Sequence, residues 1–189
     1  MEEIINIPLL FAENTVLETT RLRLRPLRMT DAKDMYEYAS DEETTRYVFQ
    51  QHRNLADTQF AIANYFMAEP LGKYAIEEKK SSKMIGTIDL RVDATYGRGE
   101  LGYTLNKAYW GQGIMPEAAF ALLVLGFDKM KLVSINAYHN LENAKSGRVM
   151  EKIGMKKVTE IKSSRLWKGE LIDEALYMIT AADWQKRTM

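Results

Sequence analysis

The 189-residue chain contains no cysteine, which excludes a disulfide framework and removes the best side chain for a covalent intermediate. Histidine is almost as scarce, since His52 and His139 are the only two in the sequence. With no cysteine and no close pair of histidines, the chain lacks a plausible set of zinc ligands. We therefore expect no metal centre and no thiol chemistry.

The sequence also lacks an excess of charge and a long apolar run. Lysine plus arginine and aspartate plus glutamate number 26 each, so the chain has no general attraction for nucleic acid or anionic membranes. The longest apolar stretch, residues 118–127, is too short to span a bilayer, and the acidic start has the wrong sign for a secretory signal. We expect a cytoplasmic protein with no nucleic-acid or membrane partner.

What is present is typical of one globular domain. An apolar content of 46% is too high for a disordered chain, and no linker, repeat or low-complexity tract divides the sequence. We therefore expect a single domain over residues 1–189.

The most informative segment is residues 100–118, which read as a strand, a glycine-broken loop and the start of a helix. Apolar and polar residues alternate over 100–105 at the period of a strand. Gly111 and Gly113 then allow a tight turn with exposed amides, and Pro116 suits the first position of a helix. Free amides and the helix dipole would converge on one point, which favours an anion site for phosphate or pyrophosphate.

The glycine spacing excludes two familiar phosphate loops. Pro116 stands where a dinucleotide-binding loop needs its third glycine. No lysine followed by serine or threonine comes after the glycines, as a Walker loop would require.

A second strand-to-helix unit follows at residues 133–156. Alternating apolar residues predict a strand over 133–137, and helical spacing predicts a helix over 140–152. Gly154 is placed as a helix stop.

Together these two units resemble the GNAT superfamily of acetyl-CoA-dependent N-acetyltransferases. The first unit resembles its pyrophosphate loop, and the opening residues 20–26 with Asp31 and Ala32 narrow the resemblance to the RimJ/RimL-like branch, which modifies protein N-termini and small amines. The correspondence covers roughly residues 17–184. The second unit matches the family's second motif at Asn143, Ser146, Val149, Lys152 and Gly154.

The patterns and the resemblance imply an α/β (α+β) fold: a mixed, largely antiparallel sheet of seven strands, with helices on both faces and splayed central strands. Thr30 is the expected cap of one helix and Asp57 the expected start of another. The remaining expected strands are 21–25, 73–78, 83–92, 156–167 and 171–180.

Acetyl-CoA is the cosubstrate that the resemblance implies. Loop amides would hold its pyrophosphate, and the backbone of the strand at residues 100–105 would pair with its pantetheine arm like a short peptide. Asn143 would bind the arm through its side chain, although a helix N-cap is an equally good role for it. The expected cofactor-binding residues are Tyr103, Thr104, Leu105, Gly111, Gln112, Gly113, Ile114, Met115 and Asn143.

By the same resemblance, Glu100 is the candidate base that takes the amine's proton, and Ser146 is the candidate acid that protonates the thiolate. An exposed strand-start glutamate and a packed helix serine are the structural alternatives. Two departures from the family pattern matter. Met150 stands where many members have a tyrosine that acts as the catalytic acid, and Arg165 stands where some have a glutamate that acts as the base.

The function implied is acetyl transfer to a primary amine, most favourably a protein N-terminal α-amine. The absence of cysteine favours direct transfer from cosubstrate to acceptor. A polyamine or antibiotic acetyltransferase and a non-catalytic acyl-CoA-binding module are the alternatives. A homodimer and a substrate contact by His139 both stay open.

Overall fold

The computed structural model describes residues 5–188, and its centre is one open sheet. Seven of the eight strands contain four or more residues, and the first contains two. In chain order they are β1 (Leu17–Glu18), β2 (Leu22–Arg25), β3 (Lys73–Glu78), β4 (Lys83–Asp93), β5 (Arg98–Leu105), β6 (Ser134–Asn140), β7 (Lys156–Trp167) and β8 (Glu170–Thr180).

The sheet order is β1-β2-β3-β4-β5-β6-β8-β7. Every neighbouring pair is antiparallel except β5 and β6, which run parallel. At the far edge, β7 pairs with β8 through two register shifts. The expected mixed, largely antiparallel sheet is therefore confirmed.

The sheet has one strand more than the seven expected. The additional strand is β1, in which Leu17 faces Leu24 and Glu18 faces Arg23 of β2. Two residues are too few to produce an alternating pattern, so this strand could not be recognised in the sequence.

Helices cover both faces of the sheet, as expected. The helices are α1 (Ile7–Glu13), α2 (Ala32–Ala39), α3 (Glu42–Thr45), α4 (Leu55–Ala61), α5 (Ile114–Val124), α6 (Ala144–Lys152) and α7 (Ala181–Thr188). One face of the sheet packs against α5 around Leu22, Leu90 and Leu101, and the other packs against α2 and α4 around Tyr38 and Met84. Wider turns extend α4 over Ile62–Met67 and α5 over Leu125–Lys129.

Two helix starts differ from the prediction. Thr30 lies inside a short 3₁₀ turn, and the N-cap residue of α2 is Asp31. The Asp31 carboxylate does not cap α2 but accepts the Arg28 amide (2.8 Å), which closes the 3₁₀ turn. Asp57 lies inside α4, because Asn54 caps that helix by accepting the Asp57 amide (3.0 Å). Several residues near a helix start can serve as caps, and the backbone selects among them.

Helices α5 and α6 also begin at different residues than predicted. Helix α5 begins at Ile114, two residues before Pro116, which is tolerated because first-turn amides have no helical partner. Helix α6 begins at Ala144 instead of residue 140, because β6 continues to Asn140.

The two central strands separate after a short contact. β5 and β6 pair only from Arg98 to Glu100, opposite Ser134 to Asn136. Beyond Glu100, β6 continues to pair with β8 as far as Asn140, whereas β5 pairs only with β4. The expected splay is confirmed, and the gap between the strands opens at Glu100.

Candidate active site

The glycine loop before α5 adopts a conformation that glycine allows without strain. Gly111 and Gly113 have φ of 75° and 74°, in the left-handed region. A Cβ on Gly111 would meet no atom within 4 Å, so backbone conformation, and not crowding, requires glycine there. The loop therefore turns tightly and leaves open space beside its amides.

Arg21, in the bend between β1 and β2, holds this loop in place. Arg21 Nη1 donates to the carbonyl of Gln112 (2.9 Å), and its Nε donates to Glu117 on α5 (2.6 Å). The Gln112 side chain donates to the Ala108 carbonyl (3.0 Å). Loop and helix are therefore joined to each other before any ligand binds.

A cleft of about 740 Å³ lies between this loop and the start of α6. Its size, its glycine cradle and the partnerless first-turn amides of α5 fit a nucleotide-bearing cosubstrate. Gln112 is the one expected cofactor residue that does not line it, because its side chain is bonded to Ala108. The expected residues that do line it are Tyr103, Thr104, Leu105, Gly111, Gly113, Ile114, Met115 and Asn143.

Two basic residues of this cleft were not among the predicted site residues, although Lys152 belongs to the second motif. Arg148 and Lys152 line it from α6, and neither side chain has a hydrogen bond or ion pair with any residue in the described range. Their i, i+4 spacing places them on one helix face, and this spacing was the signal available. Lys145 also lines the cleft, but it is paired with Glu43 (3.1 Å) and lies over the Trp110 ring.

A second cavity of about 310 Å³ adjoins the cleft. Glu100 lines this cavity and not the cleft, whereas Ser146 lines both. The two spaces share the walls Tyr47, Val48, Tyr103, Asn143 and Ser146.

Glu100 is part of a charged group on β4 and β5. Its Oε1 accepts from Arg91 Nη2 (2.6 Å), and its Oε2 has no hydrogen bond within residues 5–188. Arg91 also contacts Asp89 through its other terminal nitrogen. Burial raises the pKa of Asp89 to about 6, against the attraction of Arg91. Sequence reasoning missed Asp89 and Arg91, whose alternation marks only one face of a strand.

Ser146 is hydrogen-bonded to the side chain of Tyr103. Ser146 Oγ donates to the Tyr103 hydroxyl (3.0 Å), which in turn donates to the Ser146 carbonyl (3.0 Å). Burial raises the pKa of Tyr103, so its hydroxyl keeps its proton at neutral pH. The junction of the two cavities therefore holds two neutral hydroxyl groups in contact. Sequence reasoning considered only the backbone of Tyr103.

Asn143 has the capping geometry that was one of its two expected roles. Its Oδ1 accepts the Ser146 amide (3.3 Å) at the start of α6, while the residue lines both cavities. Met150 is 1% exposed and packs in the core, away from either cavity.

His139 and Arg165 both line the second cavity. His139 donates from Nδ1 to the Asn140 carbonyl (2.8 Å), and its buried Nε2 abuts Gly147 without a hydrogen-bond partner among the described residues. Arg165 Nε lies 3.0 Å from Glu174 Oε1.

Two negative findings concern the described part of the chain only. Residues 5–188 bring together no group of three histidine, cysteine, aspartate or glutamate side chains that could hold a metal ion. Within the same range, no helix is both long enough and apolar enough to cross a membrane.

Residues 21–156 match the family described as "Acetyltransferase (GNAT) domain". The relative "Uncharacterized N-acetyltransferase YnaD" of Bacillus subtilis is 30% identical, with 89% of this chain and 98% of the relative covered. A GNAT-family acetyltransferase structure from Bacillus anthracis has a TM-score of 0.81 at 28% identity, covering 88% of this chain and 99% of that one.

A more distant neighbour shares the fold alone. It is the ribosomal-protein-S5-alanine acetyltransferase of Vibrio fischeri, with a TM-score of 0.74 at 21% identity, covering 90% of this chain and 99% of that one.

Proposed function

The chain belongs to the GNAT acetyltransferase family, and from this premise we propose that it transfers acetyl from acetyl-CoA directly to a protein N-terminal α-amine. Use of acetyl-CoA and N-acetyl transfer follow from the family. The observation that carries the proposal is the junction at which a cosubstrate-sized cleft meets a smaller cavity lined by Glu100. A thioester and an amine bound in these two spaces would meet beside Tyr103 and Ser146.

The cleft residues would hold the cosubstrate by charge and by backbone groups. The loop amides from Gly111 to Met115 would take the pyrophosphate, assisted by the dipole of α5. Arg148 and Lys152 have no hydrogen bond or ion pair in the described structure, so they are free to bind the ribose phosphate of coenzyme A, its third phosphate besides the pyrophosphate. After Glu100, the side of β5 that faces β6 has no strand partner and would offer its amides and carbonyls to the pantetheine arm.

Glu100 would accept the proton of the attacking amine, directly or through water. Arg91 already donates to Glu100 Oε1, so only Oε2 is without a hydrogen bond among residues 5–188. At pH 7 an α-amine with a pKa near 7.8 costs about 1 kcal/mol to deprotonate, whereas a lysine amine near 10.4 costs about 4.6 kcal/mol. A site that offers one free carboxylate oxygen suits the amine whose proton costs less to remove, which is why we choose an α-amine over a lysine side chain.

The departing thiolate would be protonated at the Tyr103–Ser146 pair. Both hydroxyls are neutral donors, and the tyrosine substitutes for the acid that Met150 cannot provide. With a base and an acid on opposite sides of one junction, transfer is favoured over a non-catalytic acyl-CoA-binding module.

The test compares kcat/KM for three acceptors: a lysine-containing peptide with a free N-terminus, the same peptide with a blocked N-terminus, and spermidine. We expect the free N-terminus to be acetylated fastest. Glu100→Gln should lower turnover roughly a hundredfold or more at unchanged coenzyme A affinity, whereas Glu13→Gln, at an exposed position of α1, should not. Preference for the blocked peptide or for spermidine would contradict the α-amine proposal.

A further inference from the structure

The charged side chains of the second cavity form two guanidinium–carboxylate pairs. Arg91 binds Glu100 on one wall, and Arg165 lies against Glu174 on the other. Glu174 is 7% exposed and also accepts from Ser164 Oγ (2.7 Å). Within the described structure, both carboxylates lining this cavity therefore have cationic partners. An acceptor with a second ammonium group finds no unpaired counter-charge there.

The two guanidinium groups differ in how much of their donor capacity is used. Arg91 uses one terminal nitrogen for Asp89 and the other for Glu100. Arg165 approaches Glu174 through Nε, and neither of its terminal nitrogens makes a hydrogen bond with any residue from 5 to 188. Such a pair of donors matches the two oxygens of a carboxylate. Arg165 therefore retains the capacity to bind an anion.

Contacts at the tip of the β7–β8 hairpin orient Arg165, and Lys168 Nζ lies 5.5 Å from the centre of the Trp167 ring that Arg165 also approaches. The Arg165 guanidinium lies 4.8 Å from the Trp167 ring centre, and Trp167 Nε1 donates to the Arg46 carbonyl (3.0 Å). Lys168 Nζ donates to the Thr45 carbonyl (3.4 Å). The hairpin tip is thereby fastened to the end of α3, next to the wall residue Tyr47.

The side chains around this tip without an ion pair among residues 5–188 are Arg46, Lys168 and Glu170, the last of which faces Trp167 across the turn. Arg46 and Lys168 have no carboxylate partner among residues 5–188. Two nearby acidic side chains on the cofactor side are engaged, since Glu43 pairs with Lys145 and Glu142 accepts from Tyr47 (3.5 Å). Arg46 lines the cofactor cleft and Lys168 lines neither cavity, so their positive charge acts on an anion beside Arg165 only at longer range.

We propose that Arg165, supported by Arg46 and Lys168, binds a carboxylate of the acceptor. The acceptor class is then an amine that carries a carboxylate within reach of the amino group. The inference rests on the proposed function, because it specifies the substrate of the same site. The carboxylate could belong to an acidic second residue of a peptide or to a free amino acid, and the experiment separates these sources.

The first measurement compares acceptors that share one N-terminal residue. The panel contains Ala-Glu amide, Ala-Gln amide, Ala-Lys amide, free alanine and spermidine. We expect kcat/KM for Ala-Glu amide or for free alanine to exceed that for Ala-Gln amide by about tenfold or more, because a charged hydrogen bond is gained. The preferred compound identifies the source of the carboxylate, and added salt should narrow the preference.

Variants connect the preference to Arg165. Arg165→Gln should remove most of the preference, because kcat/KM for the acidic acceptor should fall by about tenfold more than kcat/KM for Ala-Gln amide. Arg46→Gln, which leaves Glu174 undisturbed, should reduce the preference more weakly. Lys162→Gln is the matched control, because Lys162 lies on the same strand but is exposed and paired with Asp173.

Stability and binding measurements keep the test decisive. Because Arg165→Gln leaves buried Glu174 without its cation, thermal unfolding is measured in parallel. Arg165→Lys is a second variant, which keeps the positive charge but loses the paired terminal nitrogens of the guanidinium group. Calorimetry with the acetylated Ala-Glu and Ala-Gln amides, in the presence of coenzyme A, reports the carboxylate contact without turnover.

A preference for spermidine would overturn the inference together with the α-amine proposal. Two results would overturn the inference alone: equal use of acidic and neutral acceptors, or an equal loss for both peptides in Arg165→Gln. Acetyl transfer would then remain established. Transfer to no amine in the panel would overturn the proposed function itself, and the carboxylate site with it.

Discussion

At the scale of single residues, the site depends on side chains that modify one another. Tyr103 and Ser146 share hydrogen bonds at the junction of the two cavities, and Arg91 joins Asp89 to Glu100 beside the acceptor space. In both groups the chemistry belongs to the contact between side chains. Substitutions within one group should therefore have effects that are not additive.

Tyr103→Phe and Ser146→Ala should each lower turnover by about a hundredfold or more, because the proposed proton donor is lost. Affinity for coenzyme A should change little, and the double variant should be no slower than the slower single variant. Tyr74→Phe is the control, since Tyr74 is a buried tyrosine whose hydroxyl donates to the Asn14 carbonyl (2.9 Å) away from both cavities. Unchanged turnover in Tyr103→Phe would contradict the assignment.

Asp89 should make stability depend on pH in an unusual direction. Its ordinary pKa of 3.8 is raised to about 6 by burial, so the folded protein holds a proton that the unfolded chain has already lost. Rising pH between these values removes that proton and lowers the free energy of unfolding. Two pKa units correspond to about 3 kcal/mol as an upper figure.

The measurement is urea unfolding of the wild type and Asp89→Asn at pH 4 and pH 7. Relative to the variant, the wild type should lose roughly 2 kcal/mol of stability as the pH rises. Glu13→Gln changes an exposed carboxylate and should follow the wild type at both pH values. If the free energy of unfolding of Asp89→Asn changes with pH as that of the wild type does, Asp89 does not hold a proton in the folded protein.

At the scale of elements, alternation and helical spacing predicted most of the sheet and both site helices. The strands 73–78 and 156–167 have the predicted bounds, because each is the first arm of a hairpin whose turn, at residues 80–82 or 168–169, is marked in the sequence. Caps were less predictable, since Asn54 and Asp57 are both good caps and only the backbone path selects one. Strand β1 escaped detection because it has only two residues.

The candidate site was predictable where it is local in the chain. The glycine loop and the start of α6 each lie within a few residues and carry recognisable spacing. The Tyr103–Ser146 contact joins residues 43 positions apart, and the Trp167–Arg46 contact joins residues 121 apart. Such contacts depend on tertiary packing, which periodicity does not report.

Two glycines allow the loop before α5 to be tested against a matched control. Gly111 and Gly169 have φ of 75° and 89°, and a Cβ on either would meet no atom within 4 Å. Alanine should therefore strain the backbone similarly at both positions, by about 1–2 kcal/mol. Only Gly111→Ala should weaken coenzyme A binding, since Gly169 lies in the β7–β8 turn.

Calorimetry with coenzyme A and with pantetheine is the decisive measurement. Pantetheine lacks the pyrophosphate, so its affinity should be lower in the wild type and insensitive to Gly111→Ala. Equal affinity of the wild type for the two ligands would remove the loop from the binding site.

At the scale of the whole molecule, the sheet consists of two parts that meet at a short contact. Strands β1 to β5 form one part and β6 to β8 the other, joined by three paired positions and by the shared core beneath α5. The cleft lies along the line where these parts diverge. A ligand in the cleft would therefore contact both parts at once.

Hydrogen exchange should detect such bridging. In the free protein, amides in the segment 101–105 that face the gap should exchange rapidly, because β5 has no partner on that side. Saturating coenzyme A should slow exchange in this segment and leave the β2–β3 pair unchanged. Equal protection with and without coenzyme A would show that the ligand does not pair with this strand.

The unpaired edges of the sheet differ in whether they invite self-association. The outer edge at β1 is two residues long, and the outer edge at β7 is lysine-rich and irregular, with two register shifts and Ser163 at φ 49°. Short, charged and irregular edges resist strand addition between molecules, which is a common first step of aggregation. The stretch of β5 after Glu100 is regular, but it lies inside the molecule, where another chain cannot easily reach it. The protein therefore keeps a strand edge available for a slender ligand without exposing it to amyloid-like pairing.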